Sequence, residues 1–327
     1  VTRVTVLGDG AWGTALALVL SRAGRDVALW SRFPDYAEEM RARRENVRFL
    51  PGFAFPEALR VCSGPPPRAE VYVAAVPTPF IRETFAEIRD ALDRKALFVG
   101  VAKGLEQATG RRPSEVLAEV LGRVRSVALV GPSHAPEVAR GLPASVVAAG
   151  EPRAARAAQE LFSGDTLRVY TTRDRIGAEL GGALKNVIAL AGGICEGLGL
   201  GHNAKAALLT RGIVEMARLG VKLGARRETF FGLSGIGDLI TTTTFPAGRN
   251  LSVGRAIGEG KPLSEILGSM RSVAEGVWTA KAAWALARRH RVEMPITEQV
   301  HAILFEGKPP REALRDLMRR GPRAERD

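Results

Sequence analysis

The sequence predicts an α/β protein: a doubly wound, mostly parallel sheet in the first half, followed by an all-helical unit. Three observations carry this expectation. Short apolar runs alternate with helical stretches from Val4 to about residue 171. A glycine-rich turn directly follows the first of those runs. Strand signals then fade after Asp174, and helical patterning continues to the end. Strand–helix alternation over such a length builds a parallel sheet with helices on both faces. The boundary is placed near residue 175, giving a sheet unit over 1–175 and a helical unit over 176–327.

Strands are expected at 4–7, 27–30, 71–76, 97–101, 127–130 and 145–149, with a further strand-like run at 167–171. Most are nearly continuous in Val, Ala and Leu, as in strands covered on both faces. Helices at 12–23, 80–92, 114–121 and 151–162 fall between them, and Gly64-Pro65-Pro66-Pro67 reads as a rigid surface turn. In the second half, 179–197 is apolar almost all round and is expected to be a central buried helix. Further helices are expected at 204–223, 264–267, 277–288 and 296–304. The stretch from Met318 to Arg323 reads as a solvated basic tail.

The chain has 327 residues, 46% hydrophobic and 25% charged, which suits two ordinary globular domains. No apolar run approaches the roughly 18–20 residues that span a bilayer, so no membrane insertion is expected. The sequence runs directly into a strand without a basic-then-apolar leader, and a cytoplasmic protein is expected. The net charge is +12. Its arginines are spread along the chain instead of bunched between aromatics, so nucleic-acid binding is not expected, and an anionic cofactor and an anionic small substrate fit the charge equally well. Cys62 and Cys195 lie far apart, and His134, His202, His290 and His301 are scattered, so no metal site is expected.

Gly8, Gly10 and Gly13 have the G-x-G-x-x-G spacing between a strand and a helix. The first glycine permits the tight turn, the second lets backbone approach a pyrophosphate, and the third lets helix and sheet pack closely. The helix start offers free N–H groups and a positive dipole end to the phosphates. This predicts a dinucleotide-binding, Rossmann-type sheet, with Ala11 and Trp12 beside the phosphates. The second strand ends at Trp30-Ser31-Arg32 with no acid to grip a ribose 2′-hydroxyl. A hydroxyl and a guanidinium there suit a 2′-phosphate, so NADPH or NADH is expected, with NADPH preferred.

Lys185 stands in an apolar helix, where only Asn186 among its near neighbours is polar. Burial lowers a lysine's pKa and readies it to exchange a proton with a substrate oxygen. The competing reading is a lysine whose head snorkels to solvent. Other segments weigh against snorkelling. Lys103 follows a strand at the edge where ligands bind in such sheets. Asp238 sits in the glycine-rich segment from Gly235, and Arg249-Asn250 follow shortly after. Together they would make a site for a small phosphorylated substrate.

At these residues the chain resembles the bacterial NAD(P)-dependent sn-glycerol-3-phosphate dehydrogenases. The resemblance runs over nearly the whole length, through residues 8–15, Leu50-Pro51-Gly52, Ala102-Lys103-Gly104, Gly131-Pro132-Ser133, Glu137-Val138-Ala139, 179–189, 197–211, 235–238, Arg249-Asn250 and Val273-Ala274-Glu275-Gly276. It implies reversible hydride transfer between NAD(P)H and dihydroxyacetone phosphate, giving sn-glycerol 3-phosphate for glycerophospholipid synthesis. It implies Lys185 as general acid/base, supported by Lys103 and Asp238. Substrate contacts are implied at Lys103, Gly131, Ser133, Lys185, Asp238, Gly248, Arg249 and Asn250. Cofactor contacts are implied at Gly8, Gly10, Ala11, Trp12, Gly13, Arg32, Lys103, Ala135, Arg249, Val273 and Glu275. A homodimer is expected as well. Four positions depart from the family pattern: Ala11 and Gly248 stand where Ser is common, His134 replaces an aromatic, and Phe33 stands where a second basic residue is frequent. The alternative enzyme reading is a β-hydroxyacid or 6-phosphogluconate-type dehydrogenase. A non-catalytic dinucleotide sensor would need neither Lys185 nor Asp238.

Overall fold

The structure, a computed structural model, describes residues 1–246, 248–269, 274–322 and 324–325. The chain opens with strand β1 (Arg3–Leu7), helix α1 (Ala11–Arg22), strand β2 (Asp26–Trp30) and helix α2 (Pro34–Arg43). A small antiparallel pair follows, β3 (Glu45–Asn46) with β4 (Leu50–Ala54), and then β5 (Arg60–Cys62). Next come β6 (Val71–Ala74), α3 (Ile81–Ile88), β7 (Leu97–Gly100), α4 (Pro113–Leu121) and β8 (Arg125–Val130). The sheet half closes with α5 (Ala135–Arg140), β9 (Ala144–Gly150), α6 (Pro152–Phe162) and β10 (Leu167–Thr172).

Eight strands form one sheet in the order β10-β9-β8-β7-β6-β1-β2-β5. Every pairing is parallel except β8 with β9. Strand order reverses beside β1, between its neighbours β2 and β6, which opens a crevice at the carboxyl ends of these strands. One face packs on α1 and α6 through Leu16, Leu20, Ala155 and Phe162; the other packs on α3 and α4 through Phe85, Val116 and Leu117. The expected doubly wound sheet is therefore present. Its edge strand β5 and the β3–β4 ribbon carry too few apolar residues to register as strands in the sequence, being three, two and five residues long.

After β10 the regular elements among the described residues are all helices. α7 (Arg175–Gly197) starts four residues before the expected 179, because Asp174 caps it by accepting from Gly177 N at 2.9 Å. Then come α8 (Gly201–Lys222), α9 (Asp238–Thr244), α10 (Arg249–Gly258), α11 (Leu263–Ser269), α12 (Glu275–His290), α13 (Pro295–Phe305) and α14 (Pro310–Met318). By length and hydropathy α7 could cross a membrane, a possibility the run-length reading had set aside. Its apolar window is 100% buried inside the helical unit, as in a core helix.

α7 meets α10 backbone to backbone. A Cβ on Gly193 would lie 2.1 Å from Leu251 O, and one on Gly254 would lie 2.1 Å from Leu190 O. Gly197 and Gly258 repeat the contact one turn on, with Cβ positions 2.2 Å from Arg255 O and 2.6 Å from Ile194 O. Glycines four apart on both helices thus bring α10 close against the helix that carries Lys185. The basic tail is partly anchored, since Arg320 forms an ion pair with Glu293.

Candidate active site

The glycine turn joins β1 to α1. Gly8 has φ +117°, and a Cβ there would lie 2.8 Å from the Ala75 carbonyl carbon at the end of β6. A Cβ on Gly13 would meet Gly8 O at 2.2 Å. Gly10 is different: a Cβ there would meet nothing within 4 Å, so its glycine keeps open space above the helix start. Two glycines therefore shape the turn, and the third leaves room for a ligand's phosphates. Ala11 and Trp12 begin α1 beside it.

The β2 end differs from the expected pair of donors. Ser31 is fully buried, and its hydroxyl donates to Asp9 Oδ2 at 2.6 Å, so it offers nothing to a ribose. Arg32 is engaged as well. Its Nη2 lies 2.7 Å from Glu83 and 2.9 Å from Glu87, both on α3. The carboxyl end of β2, Trp30-Ser31-Arg32, carries no acid of its own, but the fold brings two acids to it.

Deeper in the crevice, the strand ends converge on α7. Lys103 follows β7, and Gly131 and Ser133 follow β8. Gly131 has φ +145°, and its Cβ would lie 3.0 Å from Val146 Cα, so this bend requires glycine. On α7, a Cβ at Gly182 would lie 2.7 Å from Val130 and 3.6 Å from the Lys103 stem. At Gly181 it would lie 2.6 Å from Ser234 O, in the π-helical turn Leu233–Gly237 that leads into α9. The glycine pair thus admits both partner elements about one turn before Lys185. Asp238, expected in a turn, is instead the first residue of α9.

Lys185 is 5% exposed and Asp238 1%. Lys185 Nζ donates to Asp238 Oδ1 at 2.5 Å and to Thr242 Oγ1 at 2.5 Å. Lys103 Nζ donates to Gly131 O at 2.8 Å and to Ser133 Oγ at 3.0 Å, and pairs with Asp238 Oδ2 at 2.8 Å. One buried carboxylate thus bridges both lysines. Burial lowers the Lys185 pKa to about 8, against the raising effect of Asp238 and with Lys103 adding to the depression. Asn186 Nδ2 donates to Lys103 O at 2.8 Å and fixes that lysine's backbone.

Gly248 caps α10, which opens with Arg249 and Asn250. Asn250 Oδ1 accepts from Gly276 N at 3.0 Å, so this side chain also holds the start of α12. Glu275 opens α12 and accepts from Thr78 N at 3.4 Å. Its pKa is raised by burial, while Arg249, Lys103 and Lys185 pull against that rise. Ala135 opens α5. Before it, His134 packs against Phe245 with tilted rings whose centroids are 3.8 Å apart, a contact that suits a position where an aromatic is usual. Val273 lies outside the described residues.

The structure therefore brings Lys103, Gly131, Ser133, Lys185 and Asp238 into one cluster, with Glu275 and Arg249 in electrostatic reach. Arg32 and the glycine turn lie at the other end of the crevice. Thr242 and Asn186 belong to the cluster, although sequence reasoning gave them no role. Their signal was present, in the helical i+4 spacing from Asp238 to Thr242 and in the polar neighbour of Lys185. Among the described residues no group of His, Cys, Asp and Glu could hold a metal ion.

A glycine-turn sheet feeding a crevice, closed by a helical unit with a buried lysine, defines the class of nicotinamide-dependent oxidoreductases. Within it, the family model described as NAD-dependent glycerol-3-phosphate dehydrogenase N-terminus matches residues 3–156, and its C-terminus counterpart matches residues 174–315. The chain belongs to the NAD-dependent glycerol-3-phosphate dehydrogenase family. It is 47% identical to glycerol-3-phosphate dehydrogenase [NAD(P)+] of Chlorobium limicola, over 98% of this chain and 99% of that one. To the enzyme of the same name from Geobacter sulfurreducens it is 48% identical, over 99% of each chain. The crystal structure of glycerol-3-phosphate dehydrogenase from Coxiella burnetii superposes with a TM-score of 0.92 at 39% identity, covering 98% of this chain and 99% of that one.

Proposed function

We propose that this site catalyses reversible hydride transfer between NAD(P)H and dihydroxyacetone phosphate, giving sn-glycerol 3-phosphate, with Lys185 as the proton donor. The observation that carries this reading is the bridge of Asp238 to both lysines, 2.5 Å from Lys185 and 2.8 Å from Lys103. The family match favours it over the β-hydroxyacid alternative.

The nicotinamide, when bound, supplies or takes the hydride at carbon 2 of the substrate. The rest falls to the chain's own side chains. In the reducing direction, negative charge grows on the carbonyl oxygen. An ammonium has three N–H groups, and Lys185 gives two of them to Asp238 and Thr242. Its third N–H is the one that meets the oxygen, stabilises the charge and transfers the proton. Lys103 has three partners, Gly131 O, Ser133 Oγ and Asp238, so it serves as a fixed positive charge. Asp238 holds both ammonium groups in place and keeps Lys185 protonated near neutral pH.

The substrate phosphate is assigned to the start of α10, where the Arg249 guanidinium and the positive end of the helix dipole would receive it. Gly248 contributes backbone only, and Asn250 contributes its amide nitrogen, its oxygen being held by Gly276. Clamping the phosphate fixes the reacting carbon relative to Lys185. Gly8, Gly10, Ala11, Trp12 and Gly13 hold the pyrophosphate, Ala135 and Glu275 line the nicotinamide end, and Arg32 flanks the adenosine ribose. A sheet unit over 1–175 and a helical unit over 176–327, assembly as a homodimer, a cytoplasmic location and supply of glycerophospholipid synthesis complete the reading.

A spectrophotometric assay tests it. Dihydroxyacetone phosphate should drive oxidation of both NADH and NADPH, and β-hydroxyacids should drive no reduction of NAD+ or NADP+. The opposite pattern would assign the site to the β-hydroxyacid class.

A further inference from the structure

Arg32 follows β2, and Glu83 and Glu87 lie on α3, which follows β6. β1 lies between those two strands and feeds the glycine turn. The ion pair Arg32–Glu83, with Glu87 beside it, therefore spans the carboxyl end of β1, where the adenosine end of a dinucleotide enters. Both short contacts use the same nitrogen of Arg32, Nη2, at 2.7 and 2.9 Å. The remaining N–H groups of the guanidinium are left for a ligand. The three side chains carry a net charge of −1, and all are solvent-accessible, with Arg32 31%, Glu83 67% and Glu87 55% exposed. Phe33, itself 62% exposed, adds no second positive charge.

We propose that Glu83 and Glu87 set the cofactor preference of this enzyme. Sitting on Arg32, they hold a 2′-phosphate and a 2′-hydroxyl near parity. The inference rests on the reading of Arg32 as the neighbour of the adenosine ribose. A 2′-phosphate brings about −1.5 to −2 charges at neutral pH. It gains the Arg32 guanidinium but lies against two carboxylates, and like-charge juxtaposition is a common device for discriminating between ligands. A ribose 2′-hydroxyl gains less from Arg32 and suffers no such repulsion; either glutamate can accept a hydrogen bond from it. Without the two acids, Arg32 alone would make a strongly NADPH-selective site.

The test is direct binding of NADPH and NADH, by calorimetry or by quenching of intrinsic tryptophan fluorescence, alongside kcat/KM for each. Wild type should bind the two with Kd values within a few-fold of one another. Glu83→Gln or Glu87→Gln alone should shift the Kd ratio towards NADPH by about threefold, and the double variant by about tenfold, the scale of exposed charge pairs. Arg32→Ala should weaken NADPH and leave NADH less affected. If Arg32→Ala changes neither Kd, Arg32 is not at the ribose, and both the reading and the inference fall. If Arg32→Ala weakens NADPH but the double variant leaves the ratio unchanged, the carboxylates do not set preference. A double variant that loses NADPH affinity would show that they orient Arg32 for the phosphate, which also overturns the inference.

Discussion

Asp238→Asn isolates the electrostatic part of the mechanism from its geometry. Asparagine keeps the shape and one acceptor but removes the charge that both lysines share. Lys185 has a pKa of about 8, lowered by burial and held up by Asp238. Two unit charges about 4 Å apart interact by about 4 kcal/mol at an effective dielectric of about 20, or roughly 3 pKa units. Asp238 divides its attraction between Lys185 at 2.5 Å and Lys103 at 2.8 Å, and the amide oxygen retains a hydrogen bond. A drop of about 2 units is therefore expected, to about 6, within the usual range for a lost ion-pair partner. Reduction needs the ammonium, which is present below the pKa and lost above it. The alkaline limb of kcat/KM for dihydroxyacetone phosphate should move from about pH 8 to about pH 6. At pH 7 the protonated fraction falls from about nine-tenths to about one-tenth, so the variant should lose about tenfold there. At pH 5.5 most of that loss should be recovered. The assay is the pH dependence of NADH oxidation between pH 5 and 9.5 for both proteins. A limb that stays at pH 8, with an equal loss at every pH, would show that Asp238 acts by position alone and refute the charge argument.

Thr242→Val keeps the volume but removes the acceptor 2.5 Å from Lys185 Nζ; the same alkaline limb should shift downward by a smaller step, and kcat should fall by up to about tenfold. Arg249→Ala should mainly raise the KM for dihydroxyacetone phosphate, since one charge-assisted contact is worth about 1.5–3 kcal/mol, or about 10–150-fold. An unchanged KM would move the phosphate elsewhere. Gly254→Ala forces a Cβ to within 2.1 Å of Leu190 O, so α10 must shift from α7. Overpacking of about 1–3 kcal/mol should exceed the roughly 1 kcal/mol gained in helix propensity, and the urea midpoint should fall. A midpoint at or above wild type would mean that the helices separate freely.

Much of the fold was legible because its signals are local. Continuous Val, Ala and Leu runs mark strands covered on both faces, and Gly8, Gly10 and Gly13 sit where a strand must turn into a helix. The short edge strand Arg60–Cys62 escaped detection, because an edge with three residues carries no periodicity. Helices α9 and α10 were hidden for another reason. Asp238–Thr244 ends in four threonines of low helix propensity, and α10 buries glycines, so tertiary packing overrides local preference in both. At the site, a lysine in an apolar helix was a readable anomaly. Its partners were not, since Asp238 lies 53 residues away and only the fold sets their distance. The same limit applies at the ribose end. Trp30-Ser31-Arg32 contains no acid, but Ser31 is claimed by Asp9 and Arg32 by Glu83, each a long-range pairing.

The central claim is that Lys185 donates the proton as hydride arrives. Its most direct test is Lys185→Ala, with kcat for reduction of dihydroxyacetone phosphate measured alongside the dissociation constant of NADH. The account predicts a fall in kcat of at least about 100-fold, the scale of a lost general acid, with cofactor affinity little changed. A variant that keeps near-normal kcat would contradict it and leave Lys185 as a structural residue.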